Sequence, residues 1–303
     1  MGKILIGVSS WSDPDLVKSG FYPPGVESSE DRLRYYSSRF DIVESDASYH
    51  AIPWSGHVKM WVDNTPAGFA FDLKVFSLFS GQPTPINSLP RDLREDAREG
   101  LRKGNNLYLN HLPQEVADRL WERFASSIYA LKESSRLGLA VFQFPSWFHP
   151  RPENLAYIKT CKNKLSAFRL GMEFRSPEWF GAGILPGLLD LLKSLQIALV
   201  CVDEPQGLKS SMPALAEATA PCGTVRFHGR NSAAWENKES TTGEKYDYLY
   251  SESELNEWLP RIRLLQANTE ELHVIFKNKH LDHRIVNALQ MQKLLGIPGK
   301  QVN

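Results

Sequence analysis

The chemistry in this chain gathers around Thr224 to Asn231, read as Thr-Val-Arg-Phe-His-Gly-Arg-Asn. The stretch alternates, so Val225 and Phe227 face one side of a strand while Arg226 and His228 face the other. Polar, partly cationic side chains on an inner strand face are costly unless they meet partners or water. The pattern therefore predicts a strand whose end reaches into a polar site. Four residues carry acid/base types: Glu44, Glu173, Asp203 and His228. Carboxylates with one imidazole suit general acid/base work or a divalent cation such as Mg, Mn or Zn. A Glu44/Glu173 pair also has the residue types of a glycosidase acid and base. The competing account is that these acids pair with nearby cations. No HExxH-type motif occurs, so the metal remains unknown and no cofactor is assigned.

A second set has the types that hold an anion: Lys74, Arg175, Arg226, Arg230 and Lys277. Guanidinium forks match phosphate and carboxylate. The alternative is charge balance for Glu44, Asp46, Glu173 and Asp203. Ser10, Trp11, Asp46, Gln143 and Asn278 complete the polar set expected to bind substrate. Trp11, Tyr22, Trp54, Trp147 and Trp179 have the flat faces that stack on a sugar or base, or that cap a structure by packing.

Eight apolar runs must position these residues. They are Ile4 to Val8, Phe40 to Asp46, Phe69 to Val75, Leu139 to Phe144, Phe168 to Phe174, Ile197 to Val202, the stretch from Thr224, and Leu272 to Phe276. Mostly helical segments separate them, with Val116, Leu120, Phe124, Ile128 and Leu131 giving the clearest helical spacing. Gln206 to Cys222 shows no such period, so one crossover is expected to be irregular. Crossovers of this length imply parallel strands. Eight strands suit an α/β fold of the TIM type, a (β/α)8 barrel, whose active site lies at the C-terminal strand ends. The runner-up is an open doubly wound sheet, but the turn after strand one is Ser-Ser-Trp and not glycine-rich. Residues 1–303 are expected to form one barrel domain. Residues 77–136 form a long insertion between strands 3 and 4, expected as a lid or side wall. The charged run from Arg91 to Lys103 within it reads as a solvated helix face.

Several motifs recur in a set order: Ser9-Ser10-Trp11, Phe21-Tyr22-Pro23-Pro24, Val43-Glu44, Phe142-Gln143-Phe144-Pro145, Glu173-Phe174-Arg175 with Trp179, Val202-Asp203, and Arg226-Phe227-His228-Gly229-Arg230. Together they resemble the YecE-like family, domain of unknown function 72, over nearly the whole chain. The resemblance implies a TIM-type barrel and supplies no reaction. Where the family's second strand tends to run Val-Glu-Ile-Asn-Ser-Thr-Phe-Tyr, this chain has Val43 to His50, with Asp46 replacing an amide and His50 a tyrosine. Near strand eight an Asn-Asn-His pattern has become Lys277-Asn278-Lys279-His280.

Composition narrows the partners. Lys plus Arg and Asp plus Glu both total 35, so no global field favours nucleic acid or a membrane surface. The three cysteines are widely spaced and lack a CxxC pair, which suits reduced thiols. Met1-Gly2-Lys3 leads straight into an apolar strand, and the expectation is a soluble cytoplasmic protein. The first expectation for function is an enzyme acting on a small or nucleotide-sized anionic substrate, by acid/base or metal-assisted hydrolysis or isomerisation. The alternative is a non-catalytic binder of a phosphorylated metabolite or a nucleic-acid end. The sequence does not give the oligomeric state.

Overall fold

The computed structural model describes residues 1–102 and 105–300. Eight parallel strands close into a barrel: β1 Lys3–Ser9, β2 Ile42–Ser45, β3 Ala70–Lys74, β4 Leu137–Gln143, β5 Leu170–Glu173, β6 Ile197–Asp203, β7 Cys222–Phe227 and β8 Glu271–Phe276. Each strand pairs with its sequence neighbours, and β8 returns to β1 through Ile4 opposite Leu272 and Val8 opposite Phe276. The TIM-type barrel expected from the strand rhythm is therefore present. Helices cover most of the outside: α1 Ser29–Ser37, α2 Ser55–Asp63, α3 Gln114–Glu133, α4 Pro152–Lys164, α5 Leu185–Leu195, α6 Glu252–Ala267 and α7 His283–Leu294.

Local chemistry sets these boundaries. The Ser28 hydroxyl accepts from the Asp31 amide and caps α1. Pro152 opens α4, where its missing N–H costs nothing. Ser251 and Glu254 form a reciprocal capping box at α6. Gly7 permits a close approach of β1 to β2, since a Cβ there would sit 2.0 Å from the Ile42 carbonyl oxygen. The Tyr36 hydroxyl bridges the same seam, donating to Ile42 O and accepting from Val8 N.

Between β6 and β7 the chain takes an irregular path, as the missing period in Gln206 to Cys222 indicated. Thr219 explains how it stays ordered. Its hydroxyl donates to Ile197 O and accepts from Leu199 N, so the segment tracks β6 by hydrogen bonds that a helix would not make.

The insertion is built of short irregular pieces and one long helix. It contains single 3-10 turns, a two-residue antiparallel pair (Thr84–Pro85 with Asn106–Leu107), and α3, whose apolar face is buried. Phe79 stacks on Trp121 at 3.6 Å between ring centroids and anchors the start of the insertion to α3. The run from Arg91 is solvated as expected but is not a regular helix. It forms 3-10 turns, and its acids bond to α3, Arg123 to Asp92 at 2.8 Å and Arg119 to Asp96 at 3.1 Å. Lys103, at the end of that run, lies outside the described residues.

The barrel interior is layered. Its middle is apolar, with Leu5, Ile42, Ala70 and Ile275 on one side and Leu139, Val141, Ala198 and Val200 on the other. The N-terminal end holds buried charge. His273 Nδ1 faces Asp72 at 2.9 Å, and Nε2 faces Glu271 at 3.1 Å. Asp72 also accepts from the Leu139 amide, and Arg169 donates to Glu271. Burial alone would lower the His273 pKa, but Asp72 overrides it and holds the imidazole protonated, well above its ordinary value. Its contribution to stability is therefore full below about pH 6.5, the unfolded value, and is lost as pH rises through the folded pKa. Urea unfolding of wild type and His273→Gln across pH 5 to 9 checks this: the stability gap between the two narrows above about pH 6.5.

Candidate active site

Strand parity decides which side chains meet at the C-terminal mouth. On β2 the inward positions are Ile42 and Glu44, and the next in step is Asp46. β3 ends inward with Lys74, β4 with Gln143, and β5 with Glu173 followed by Arg175. β7 contributes Arg226 and then His228, and the residue after β8 is Lys277. These residues form one connected network. Arg226, fully buried, donates to Glu173 Oε2 at 2.6 Å and through its other arm to Glu44. Lys277 bonds the second oxygen of Glu44 and approaches Asp46 at 3.2 Å. Gln143 Nε2 donates to Glu173 Oε1 at 2.6 Å. Arg175 contacts the same oxygen through Nε at 2.5 Å, then reaches Glu204 at 2.9 Å and His228 Nε2 at 3.0 Å.

The charges follow from these contacts. Burial raises the Glu173 carboxyl, but Arg175 leads the neighbours that reverse this and hold it well below the usual carboxylate range. Asp46 is likewise lowered, because Lys277 and Lys74 overcome its burial. Lys277 is raised: burial opposes its charge, and Asp46 and Glu44 more than restore it. Lys74 differs. Burial, with Lys277 and Arg226 nearby, brings its ammonium down to about 8 against the pull of Asp46. Among the described residues it makes no ion pair, and its Nζ rests 3.9 Å from the centre of the Tyr49 ring.

His228 is neutral. Burial and then Arg175 push its pKa down to about 3. Since Arg175 Nη2 donates to Nε2, the imidazole proton belongs on Nδ1. Nδ1 is buried and has no partner among the described residues. Glu204, beside it, is pushed up to about 7 by burial, with Arg175 pulling the other way.

Three of the candidates stand elsewhere. Asp203 points outward with Ile197, Leu199 and Cys201. It accepts from Arg230, Tyr250 and Trp258, so both its oxygens are spent between β6 and α6. Arg230 would continue the parity of Arg226 and His228, but Gly229, at φ 95°, turns the chain and sends it out to Asp203 and Glu257. Asn278, one step beyond Lys277, bonds Asn287 and the Tyr248 carbonyl. Trp11 is packed edge-on against Trp61 and Phe71 and its indole donates to Ser29, yet it lines a hollow at the mouth beside Ser10 and Asp46. Ser10 remains at the mouth, with a left-handed φ of 61°. It lines a 310 Å³ hollow with Asp46.

On the opposite flank a 330 Å³ cavity opens between Gln82, Gln143, Arg175, Ser210, Lys245 and Tyr246, walled by Trp147 and Trp235. Sequence reasoning did not reach Glu204, Tyr246, Lys245, Trp235 or Tyr49. Glu204 shares the inward parity of Val200 and Val202, but β6 is apolar on both faces, which hides that parity. The others come from loops with no periodic signal.

The four residues expected for acid/base or metal roles do not converge on a metal. Asp203 is turned away, and Glu44 and Glu173 are occupied by guanidinium and ammonium groups. One group of the described residues could hold an ion: Cys222, Glu271 and His273, at the other end of the barrel, with ligand atoms within 4.8 Å of one another. All three cysteines are free and buried. Among the described residues no helix is long and apolar enough to cross a membrane.

The family described as "Protein of unknown function DUF72" matches residues 5–303. The UPF0759 protein YunF of Bacillus subtilis (strain 168) is 31% identical over 299 residues, covering 97% of this chain and 95% of that one. The crystal structure of a DUF72 family protein from Enterococcus faecalis V583 superposes with a TM-score of 0.80 at 27% identity, covering 99% of this chain and 100% of the other. A DUF72 family protein from Thermotoga maritima MSB8 gives a TM-score of 0.74 at 26% identity, covering 97% and 99%.

Because Glu173 holds two buried guanidinium groups, Glu173→Gln is expected to destabilise the protein by about 3–5 kcal/mol at neutral pH. Its depressed pKa contributes stability above the unfolded value of about 4.3, lost as pH falls through the folded value. Chemical denaturation of wild type and variant from pH 7 to 3 checks both, the gap narrowing toward acid.

Proposed function

We propose that this chain, which belongs to the DUF72 family, is an enzyme that binds a small anionic substrate at the barrel mouth and acts on it by acid/base chemistry, as in an isomerisation or hydrolysis. The observation that carries this reading is the surplus of positive charge at the mouth. Arg175, Arg226, Lys277 and, on the cavity wall, Lys245 face Glu44, Asp46 and Glu173, while Glu204 is close to half protonated at neutral pH, so the cations outnumber the acids even when Lys74 is neutral. A phosphate, sulfate or carboxylate group fits against the unused N–H groups of Arg175, with Lys245 and Gln143 on the same cavity wall.

The proton-handling parts are close by. His228 is a neutral, buried imidazole whose Nδ1–H has no partner among the described residues, and Arg175 links it to the cavity as a reserve proton donor. Glu204 titrates in the range useful at neutral pH, and Arg175 links it to His228. Trp147, Trp235 and Tyr246 present flat walls to the non-ionic part of the substrate. The mouth carboxylates do not suit a divalent cation, since each already neutralises a guanidinium or ammonium group. The reading therefore rests on acid/base chemistry without a metal at this end.

Sulfate titration followed by thermal shift tests the anion site. Sulfate is expected to raise the melting temperature of wild type, and Lys245→Ala to weaken binding about tenfold, the loss of one charge-assisted contact. Binding is also expected to weaken as pH rises from 6 to 8, because Glu204 gains charge beside Arg175 as it titrates near 7. Equal binding by wild type and Lys245→Ala, with no pH dependence, would contradict the placement.

A further inference from the structure

One cation at the mouth is built differently from the rest. Arg175, Arg226 and Lys277 each bond at least one carboxylate, but Lys74 bonds none among the described residues. Its Nζ sits on the face of Tyr49, and the charges around it are Asp46 and Glu44, which favour the ammonium, and Lys277 and Arg226, which oppose it. The backbone at this point is fixed, since the Ser48 hydroxyl donates to the Lys74 carbonyl at 2.6 Å. Lys74 stands at the end of β3, next to β4, which carries Gln143 and the cavity wall.

We propose that Lys74 is a nucleophilic amine that captures the carbonyl carbon of a small anionic aldehyde or ketone as an imine. A lysine does this when it is desolvated or crowded by another cation, so that part of it is neutral near physiological pH. Both conditions hold here: Lys74 is partly covered and shares the mouth with Lys277 and Arg226, and Asp46, which pulls the other way, forms no ion pair with it because Lys277 holds that carboxylate. Its pKa near 8 agrees with that geometry.

The step balances. The Nζ lone pair attacks the carbonyl carbon, the carbonyl oxygen takes up a proton, and Nζ releases one. The hydroxyl then takes a second proton from solvent and leaves as water, and a C=N bond forms with the last N–H kept as the protonated imine, with no oxidation or reduction. A protonated imine withdraws electrons from the neighbouring carbon and eases loss of its proton, which is the chemistry of an isomerisation. Addition of water reverses the capture and frees the lysine. Holding the substrate's anionic group against Arg175 and Lys245 leaves Lys74 free to be neutral. In this respect the inference rests on the anion site proposed above and names its substrate class.

The test uses wild-type protein, glyoxylate as an anionic aldehyde, and sodium cyanoborohydride to reduce any imine to a stable amine. Peptide mass mapping then locates the adduct. The expected result is one dominant adduct on Lys74. At pH 7.5 it forms roughly tenfold or more faster than on surface lysines, whose pKa is about 10.4, because more of Lys74 is neutral. The Lys74 rate is expected to level off above pH 8 while surface labelling keeps rising. Sulfate is expected to slow it, and Lys74→Arg to lose it. Adducts spread evenly over surface lysines, at equal rates in wild type and Lys74→Arg, would overturn the proposal. Thermal shift with sulfate on the same preparations separates the two claims. Sulfate binding without a Lys74 adduct overturns the imine and leaves the anion site standing. A Lys74 adduct without sulfate binding supports the amine and removes the anion site.

Discussion

The buried guanidinium of Arg226 is the constraint on which the mouth depends. It reaches from β7 to Glu173 on β5 and Glu44 on β2, strands that are not neighbours in the barrel. Lys277 extends the link from the end of β8 to Glu44. Arg226 thus ties three strand ends and, with Lys277, four. Removing a buried charge from water is expensive, and an apolar replacement of similar volume is often no less stable. The apolar layer beneath, built from Leu5, Ile42, Ala70, Ile275 and their opposite numbers, shows that this interior packs without charge. The charged ring therefore marks a place where position matters more than stability. Arg226 places Glu173, Glu173 places Arg175, and Arg175 faces both the 330 Å³ cavity and His228.

The two ends of the barrel hold charge in different ways. At the N-terminal end His273 is sandwiched between Asp72 and Glu271, and Arg169 closes the outer side, so the cations have carboxylates at hand. At the C-terminal end the cations are in surplus and Lys74 is left over. Opposite consequences follow for the two histidines. His273 is held protonated by its carboxylates, whereas His228 is kept neutral by its burial and by Arg175. A neutral imidazole with a free Nδ1–H suits a site that must move protons, and a locked imidazolium suits one that holds strands together.

The barrel was legible in the sequence because apolar runs at regular intervals leave few other arrangements, and because the irregular crossover before β7 lacked helical spacing. The mouth was legible where a strand alternates visibly. Arg226 and His228 flank Phe227, Glu44 follows Val43, and Arg175 follows Glu173 by two, so each set could be placed on one face. It was misread where parity was hidden or broken. Ile197 to Asp203 is apolar on both faces, so Asp203 was taken for the inward residue when Glu204 holds that place. Gly229 breaks the alternation that would have kept Arg230 inside. Asn278 lies one step past the inward Lys277 and belongs to the outer shell. Tyr246, Lys245, Trp235 and Tyr49 come from connections whose path depends on tertiary packing, and no local pattern carries that information. The Asp72–His273 pair, 201 residues apart, is equally invisible until the strands are paired.

Crystals grown with selenate, an anomalously scattering analogue of sulfate, would test the central claim most directly. The account predicts an anomalous peak at the barrel mouth within hydrogen-bonding distance of Arg175, with Lys245 or Gln143 on its other side, and a weaker peak in Lys245→Ala. A mouth without a peak at selenate concentrations that occupy ordinary surface sites would contradict it, and the positive surplus would then be a structural feature of the barrel alone.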